Sequence, residues 1–490
     1  MSATNGVTAA ASTASAARTG LPPGPRVPAA LNTLSWTLRP LPFLKRCRAR
    51  YGDIFTVRLA GAGTWVMLCD PADIKRAFTG DPNVLRAGEG NTVLRPVVGS
   101  SAPFTLDGAA HLRQRKLVLP PFHGERMQRY GELMVEATRK EMARWPVGEP
   151  FTLAPAMHKI TFEVMARAVF GIEPHRIEHT HKVLGGLLDW VGNARTLARL
   201  IYFPVERLER DRGFRAMIDP VNAGLLEEIR GRRADPDLAG REDILSMLVQ
   251  ARYDDGSAMP DEEVLDVLKS LLVAGHDTTA GALSWAFEIL QRHPDKLARL
   301  REELDAGEGE EYLDATVKEI LRMRAVIPIS PPRVLAETME FGGYALAPGL
   351  RVIPCIHLVH YDEATYPEAE RFRPERFLER PPGTYTWIPF GGGVRRCVGA
   401  SFAQFEMKEV LATVLREADL RSPDMRPEGV TRRAVVLMPR KSTRTILAGR
   451  RTSATAAAEG HAQAGESHAP AGGSQALAGA SRAQAGEVLR

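Results

Sequence analysis

Apolar positions change their period along this chain, and each change marks an element. Between residues 53 and 70 the stretches DIFTVRLAG and TWVMLCD come to alternate, which predicts two paired strands. From Asp107 to about Glu303 the spacing turns helical, broken by turn clusters such as GRRADPDLAGRED. After Arg333 the sequence reads as short strands, a proline-rich passage, a glycine loop, a helix from Cys397 to about Glu417 and closing strands. The pattern predicts a mainly α protein with a small β region assembled from both ends of the chain (α+β).

One segment stands apart. Residues 261–290 are apolar over most of the helical circumference, so the helix they predict is buried. In its middle stand Ala274, Gly275, His276, Asp277, Thr278 and Thr279. An unsatisfied buried polar group costs about 1–3 kcal/mol, and Gly275 costs about 1 kcal/mol relative to alanine. Glycine leaves room for a ligand against the backbone, and threonine hydroxyls bond the preceding turn and open the helical ladder. The patch fits a packing kink or a small-molecule site where Asp277 and Thr278 handle protons.

Composition narrows the setting. The 490 residues are 44% hydrophobic and 25% charged, with a net charge of +5. That excess is thin and holds no long basic run, so nucleic acid is not an expected partner, while a local basic patch facing an acidic protein is compatible with it. Four cysteines far apart, Cys47, Cys69, Cys355 and Cys397, suit free thiols in a reducing compartment. The sequence shows neither a secretory leader pattern nor a run long enough to span a membrane, and reads as cytoplasmic. Residues 1–20 and 449–490 are Ala/Gly/Ser-rich and read as disordered tails around a single domain over 21–448.

Three further stretches carry chemistry. His111 and Arg115, four apart on a helix with Asp107 near its N-cap, suit either a solvated basic face or an anionic ligand. Glu319 and Arg322 share a helical face, which by spacing alone is a common ion pair. In the loop from Pro389 to Ala400, Phe390 precedes Gly391, Gly392 and Gly393, and Arg395 and Arg396 precede Cys397 and Gly399. Glycines let a flat object and backbone amides approach, and a helix N-terminus with arginines favours thiolate over thiol. Taken alone, the loop fits a haem ligand or a buried inert cysteine equally.

Together these stretches resemble the cytochrome P-450 superfamily. Phe390, Gly393, Arg395, Cys397 and Gly399 match its haem-binding signature FxxGxRxCxG, and Ala274–Thr279 matches its oxygen-activation motif. Glu319 and Arg322 match ExxR, Phe372–Phe377 (FRPERF) matches the meander segment, and the DGxxHxxxRK stretch looks like the family's helix with His before Arg. The likeness covers about residues 21–445, with the motifs in the family's order. The chain departs from it between Arg301 and Glu319, where a helix-loop piece is missing.

The resemblance implies a haem b (iron protoporphyrin IX) between the central helix and the Cys-loop helix, with Cys397 as axial thiolate. It further implies that His111, Arg115, Arg333 and Arg395 hold the propionates, with Gly275, Phe390, Gly391 and Gly399 shaping the pocket. Asp277 and Thr278 are then the proton relay, and Glu319, Arg322 and Arg376 a structural triad. Val97, Val98, Leu271, Ala274, Val326, Ile329 and Val436, carried over from the family and apolar here, imply a hydrophobic substrate. Electrons are expected from a separate ferredoxin and reductase (or a flavodoxin-type donor), with Arg396 at the docking surface, and the protein is expected to be a monomer. A peroxygenase and a haem sensor share the cofactor, but retention of Asp277 and Thr278 argues against both.

Overall fold

The computed structural model describes residues 18–451 apart from 123, 125, 173–176 and 308. Helices dominate, and the largest sheet joins early and late segments in the order Ile54–Leu59, Gly63–Leu68, Arg351–Pro354, Arg333–Leu335, Leu85–Arg86. The first two strands are the expected hairpin, antiparallel with Ile54 opposite Leu68. Gly63–Leu68 then pairs in parallel with Arg351–Pro354. Phe55, Val57 and Leu59 alternate into one core cluster, while Val66 and Leu68 enter another with Val352. That alternation fixes the register, because a one-residue slip would turn each set to the wrong face. Directly after the hairpin comes the helix Pro71–Thr79, capped by Asp70, whose carboxylate accepts from Ala72 N (2.8 Å) and Asp73 N (3.2 Å). Its far end presents Phe78 to the cysteine loop.

The central helix runs Asp261–Leu290, the bounds its apolar pattern predicts. Asp261, Glu262 and Glu263 in its first turn complement the positive end of the helix dipole. It packs against the helices Ala154–Phe170, Arg212–Arg233 and Ala400–Glu417 and against the strand Val436–Pro439, where Trp285 Nε1 donates to Leu437 O (2.8 Å). Between Val264 and Leu290, burial breaks only at Val273, Ala274, Gly275 and Thr278.

The termini shift from the expected boundaries. Arg18 and Thr19 pair in parallel with Tyr344 and Ala345, and the remainder of the 1–20 tail lies outside the described residues. At the other end the strand Arg444–Arg450 continues past 448, and Arg451 N donates to Glu417 O (2.9 Å); the rest of the 449–490 tail is outside the described residues. The segment before Glu319 is closed by a cap. Helices Pro294–Ala306 and Glu311–Met323 meet across Gly307, which has a φ of 69°, and the Glu303 carboxylate accepts from Tyr312 N (2.6 Å) and Leu313 N (2.8 Å).

Candidate active site

Cys397 lies three residues before the helix Ala400–Glu417 instead of opening it as expected from the sequence, and Gly399 is the N-cap. Backbone bonds fix its loop: Gly391 N to Ile388 O, Arg396 N to Gly393 O and Cys397 N to Phe390 O, each 3.0 Å. Phe390 packs edge-on to Trp387. Cys397 is the exposed cysteine, whereas Cys47, Cys69 and Cys355 are buried. Its surroundings are nonetheless dense with protein, and their low polarity raises the thiol above its ordinary value. The Gly399 amide, Arg396 and Arg115 pull the other way without winning. Burial of the loop thus works against the thiolate that the helix end and the arginines favour.

The three glycines divide their work. Gly391, at φ 66°, and Gly399 face open space. A Cβ on Gly392 would stand 2.4 Å from the Phe78 ring, and one on Gly393, at φ 63°, 1.8 Å from the Phe78 carbonyl oxygen. Two of the glycines thus seat the loop on the Pro71–Thr79 helix, and only Gly391 leaves free space for a ligand. Gly393→Ala is expected to cost about 1–3 kcal/mol from overpacking plus strained φ, read as a lowered Tm and weaker haem retention.

Around the loop, cationic groups outnumber acids. Arg333 is buried; its described hydrogen-bond partners are Ser330 Oγ (3.2 Å) and Pro331 O (3.4 Å), and its guanidinium lies over Phe78. Burial, then Arg395, pushes it down to about 9. Arg115 donates to Arg396 O (2.7 Å). His111 is buried, its Nδ1 has no partner among the described residues, and burial with Arg395 and Arg115 pushes it down to about 3, which favours the neutral ring. Arg395 donates to Asp107 Oδ1 (2.7 Å), Pro103 O (3.0 Å) and Leu106 O. Asp107 does not bond its own helix; its carboxylate accepts from Gly88 N (2.7 Å) and Glu89 N (2.8 Å) and so ties Arg395 to that neighbouring turn. Sequestered cations need an anion, and Asp107 supplies one carboxylate for three arginines. A flat, dianionic group with a metal ion at Cys397 fits this donor set and the orphaned His111 nitrogen.

On the central helix, Thr278 Oγ1 donates to Ala274 O (2.6 Å), the back-bond expected from its type, while the helix stays unbroken. Thr278 shares the accessible face with Ala274. Asp277, about 100° around the helix, meets groups that sequence reasoning missed. Arg433 Nε donates to Asp277 Oδ1 (3.0 Å), and Arg433 also pairs with Asp189 (2.7 Å). His158 Nδ1 is 3.4 Å from both Asp277 Oδ1 and His276 Nε2, and Thr161 Oγ1 is 3.0 Å from His276 Nδ1. Burial lowers His158, with Asp277 acting against it. Arg433 could have been suspected as half of a double arginine in a strand; His158 gave no local signal. A Cβ on Gly275 would meet Met165 Sδ at 3.0 Å, so its missing side chain makes room for the Ala154–Phe170 helix.

Glu319 and Arg322 are fully buried, contrary to the common surface pair their spacing alone suggests. Arg322 Nε and Nη2 reach the two carboxylate oxygens at 2.7 and 2.9 Å, and Arg376 Nε and Arg373 N reach Oε1 at 3.1 and 2.9 Å. The remaining Arg322 donors go to His360 O (2.7 Å) and Ala369 O (2.9 Å). His360 carries the arrangement to the cysteine loop: its Nε2 accepts from Ile388 N (2.9 Å), so Nδ1 holds the proton and donates to Arg322 O (3.1 Å). Burial and Arg322 push His360 down to about 3. The unfolded chain therefore takes up a proton below about pH 6.5 that the folded chain refuses until about pH 3. Stability should fall with acidification across that window, by up to about 1.4 kcal/mol per pH unit from this group. Denaturant titrations at stepped pH should show a shallower loss in His360→Asn.

Six of the seven apolar lining positions fall in three hydrophobic clusters. Val97, Val98 and Leu271 lie in the main core cluster. Val326 and Val436 meet over Gly281, whose Cβ would stand 3.4 and 3.1 Å from them. Ile329 packs with the cluster under the first hairpin.

The family model described as Cytochrome P450 matches residues 21–447. A Mycobacterium tuberculosis protein provisionally named cytochrome P450 135B1 is 42% identical over 446 residues, which cover 90% of this chain and 94% of its own. A second from that organism, provisionally named cytochrome P450 138, is 37% identical over 437 residues, covering 87% and 96%. Two solved structures share the fold. Retinoic acid-bound cyanobacterial CYP120A1 gives a TM-score of 0.75 at 24% identity, covering 88% of this chain and 100% of its own. The cytochrome P450DA heme domain gives 0.77 at 23%, covering 90% and 99%. The chain belongs to the cytochrome P450 family of haem monooxygenases.

Proposed function

We propose that this protein inserts one oxygen atom of dioxygen into a hydrophobic small molecule, such as a fatty acid, terpenoid, steroid or macrolide-like compound, by hydroxylation or epoxidation. The observation that carries the reading is the accessible Cys397, with Arg396 and Arg115 close enough to act on it, near a buried Arg333 that has no carboxylate partner among the described residues. A haem b held there supplies reductive cleavage of dioxygen, one atom entering the substrate and the other leaving as water. Cys397 would ligate its iron, and Arg333, Arg115, Arg395 and His111 would hold its propionates. Thr278, on the accessible face of the central helix, donates a proton through its hydroxyl. Asp277 exchanges protons with the interior through His158 and is held in place by Arg433. Ala274, with Val273, offers apolar surface to the substrate. Electrons come from a ferredoxin and its reductase that dock on the cysteine side, where Arg396 is exposed. The protein works as a cytoplasmic monomer; among the described residues no helix is long and apolar enough to cross a membrane.

Turnover of a compound that shifts the haem spectrum should require NAD(P)H, ferredoxin and reductase together. Equal product from hydrogen peroxide alone would point to a peroxygenase, and spectral binding without product under either regime to a sensor.

A further inference from the structure

The helices Ala154–Phe170 and Asp261–Leu290 pack closely where Gly275 lacks a side chain, and their contact brings three ligating groups together. His158 comes from the first helix, His276 and Asp277 from the second. His158 Nδ1 stands 3.4 Å from His276 Nε2 and 3.4 Å from Asp277 Oδ1, and the last two atoms are 3.8 Å apart. Ligand atoms on a tetrahedral zinc ion, with bonds of about 2.0–2.2 Å, lie about 3.3–3.6 Å from one another. The triangle is therefore close to one face of such a tetrahedron, with the fourth corner left for water. Among the described residues no other three His, Cys, Asp or Glu side chains meet in this way.

A hydrogen-bonded cluster is the competing account, since a ring proton on His158 Nδ1 satisfies Asp277. It does not account for the second ring. Thr161 Oγ1 lies 3.4 Å from His276 O, to which it donates, and 3.0 Å from His276 Nδ1. The hydroxyl oxygen then accepts from Nδ1–H, so Nε2 turns its lone pair toward His158 and Asp277. Metal-bound histidines are oriented in this way by a partner on the other ring nitrogen. Burial pushes His158 below its ordinary range, toward the neutral ring that a metal needs. Arg433 Nε donates to the same Asp277 oxygen (3.0 Å), but that oxygen carries two lone pairs, and Asp189 balances the guanidinium at 2.7 Å. The His158 side chain is 21% exposed, which gives an ion a way in. Two imidazoles and a carboxylate suit zinc or a neighbouring transition metal, whereas magnesium and calcium prefer oxygen alone.

The geometry points to a site for one divalent transition-metal ion of the zinc class on His158, His276 and Asp277, whose filling slows turnover by withdrawing Asp277 from proton exchange. Binding releases the proton held among the three groups. The effect on turnover rests on the role proposed above for Asp277; the binding does not.

The test is equilibrium dialysis of the tag-free holoprotein against zinc chloride, read by metal analysis. One zinc ion per chain is expected, and excess magnesium should not displace it. His276→Gln should weaken binding about tenfold or more, and so should Thr161→Val, which keeps all three ligands but loses the orienting hydroxyl. Both variants should keep the wild-type carbon monoxide spectrum, which shows that fold and haem ligation are intact. Zinc held at wild-type affinity by both variants, or displaced by magnesium, overturns the site. Wild-type turnover should fall as zinc binds and recover with a chelator, while His276→Gln resists. Zinc bound through these residues with turnover unchanged overturns the inhibition. Because dialysis needs no substrate, a protein that binds zinc but oxidises nothing refutes the monooxygenase reading and upholds the site.

Discussion

Cys397→Ser is expected to abolish turnover and to remove the red-shifted Soret band that a thiolate-ligated ferrous haem shows with carbon monoxide. The effect should be all-or-none because no other thiol can replace this one. Cys47, Cys69 and Cys355 are buried, Cys69 and Cys355 lie against each other beside the first hairpin, and burial pushes Cys47 up to about 11. Serine is close in size, and the loop is held by backbone bonds at Gly391, Arg396 and Cys397 that the substitution leaves in place. The variant should therefore melt near the wild-type temperature. A folded, haem-loaded Cys397→Ser protein with the thiolate band intact would remove Cys397 from the ligand position and with it the proposed chemistry.

The sequence made some parts of this molecule plain and hid others, and the division follows contact distance. The central helix was legible to its last residue because its apolar pattern and acidic first turn are local, and the first hairpin was legible from alternation alone. The motif residues were legible as residue types at fixed spacings. Their partners were not. Asp107 reads as the cap of its own helix, yet its carboxylate serves Gly88, Glu89 and Arg395. Gly392 and Gly393 read as space for a ligand, yet Phe78, more than 300 positions earlier, occupies it. Asp277 is held by Arg433 and approached by His158, which only the packing of three segments brings together. A hydrogen bond between distant segments leaves no period in the chain. Burial also adds an effect that spacing does not show: the arginines and helix end favour a thiolate at Cys397, and desolvation of the loop opposes them.

The second large effect is structural. Arg322→Leu should leave Glu319 as a fully buried carboxylate, still touched by Arg376 Nε and Arg373 N but stripped of its bidentate partner. Breaking a buried pair from one side costs about 3–5 kcal/mol, a large part of the roughly 5–15 kcal/mol that holds a domain together. The carbonyls of His360 and Ala369 lose their donor at the same time. Because His360 also receives Ile388 N–H, and Ile388 O receives Gly391 N–H, the damage reaches the cysteine loop. Arg322→Leu should accordingly fail to accumulate as folded, haem-loaded protein. Arg376→Leu, which leaves the Glu319–Arg322 pair intact, should fold with a lowered Tm. Glu319→Leu/Arg322→Leu should recover part of the loss, since removing both charges lifts the desolvation penalty while the orphaned carbonyls remain. The discriminating measurement is the order of the three in haem content and melting temperature. If Arg322→Leu stands within about 1 kcal/mol of wild type, the buried pair is only a surface-type contact in energetic terms, and the route from the pair through His360 to the loop carries no stability.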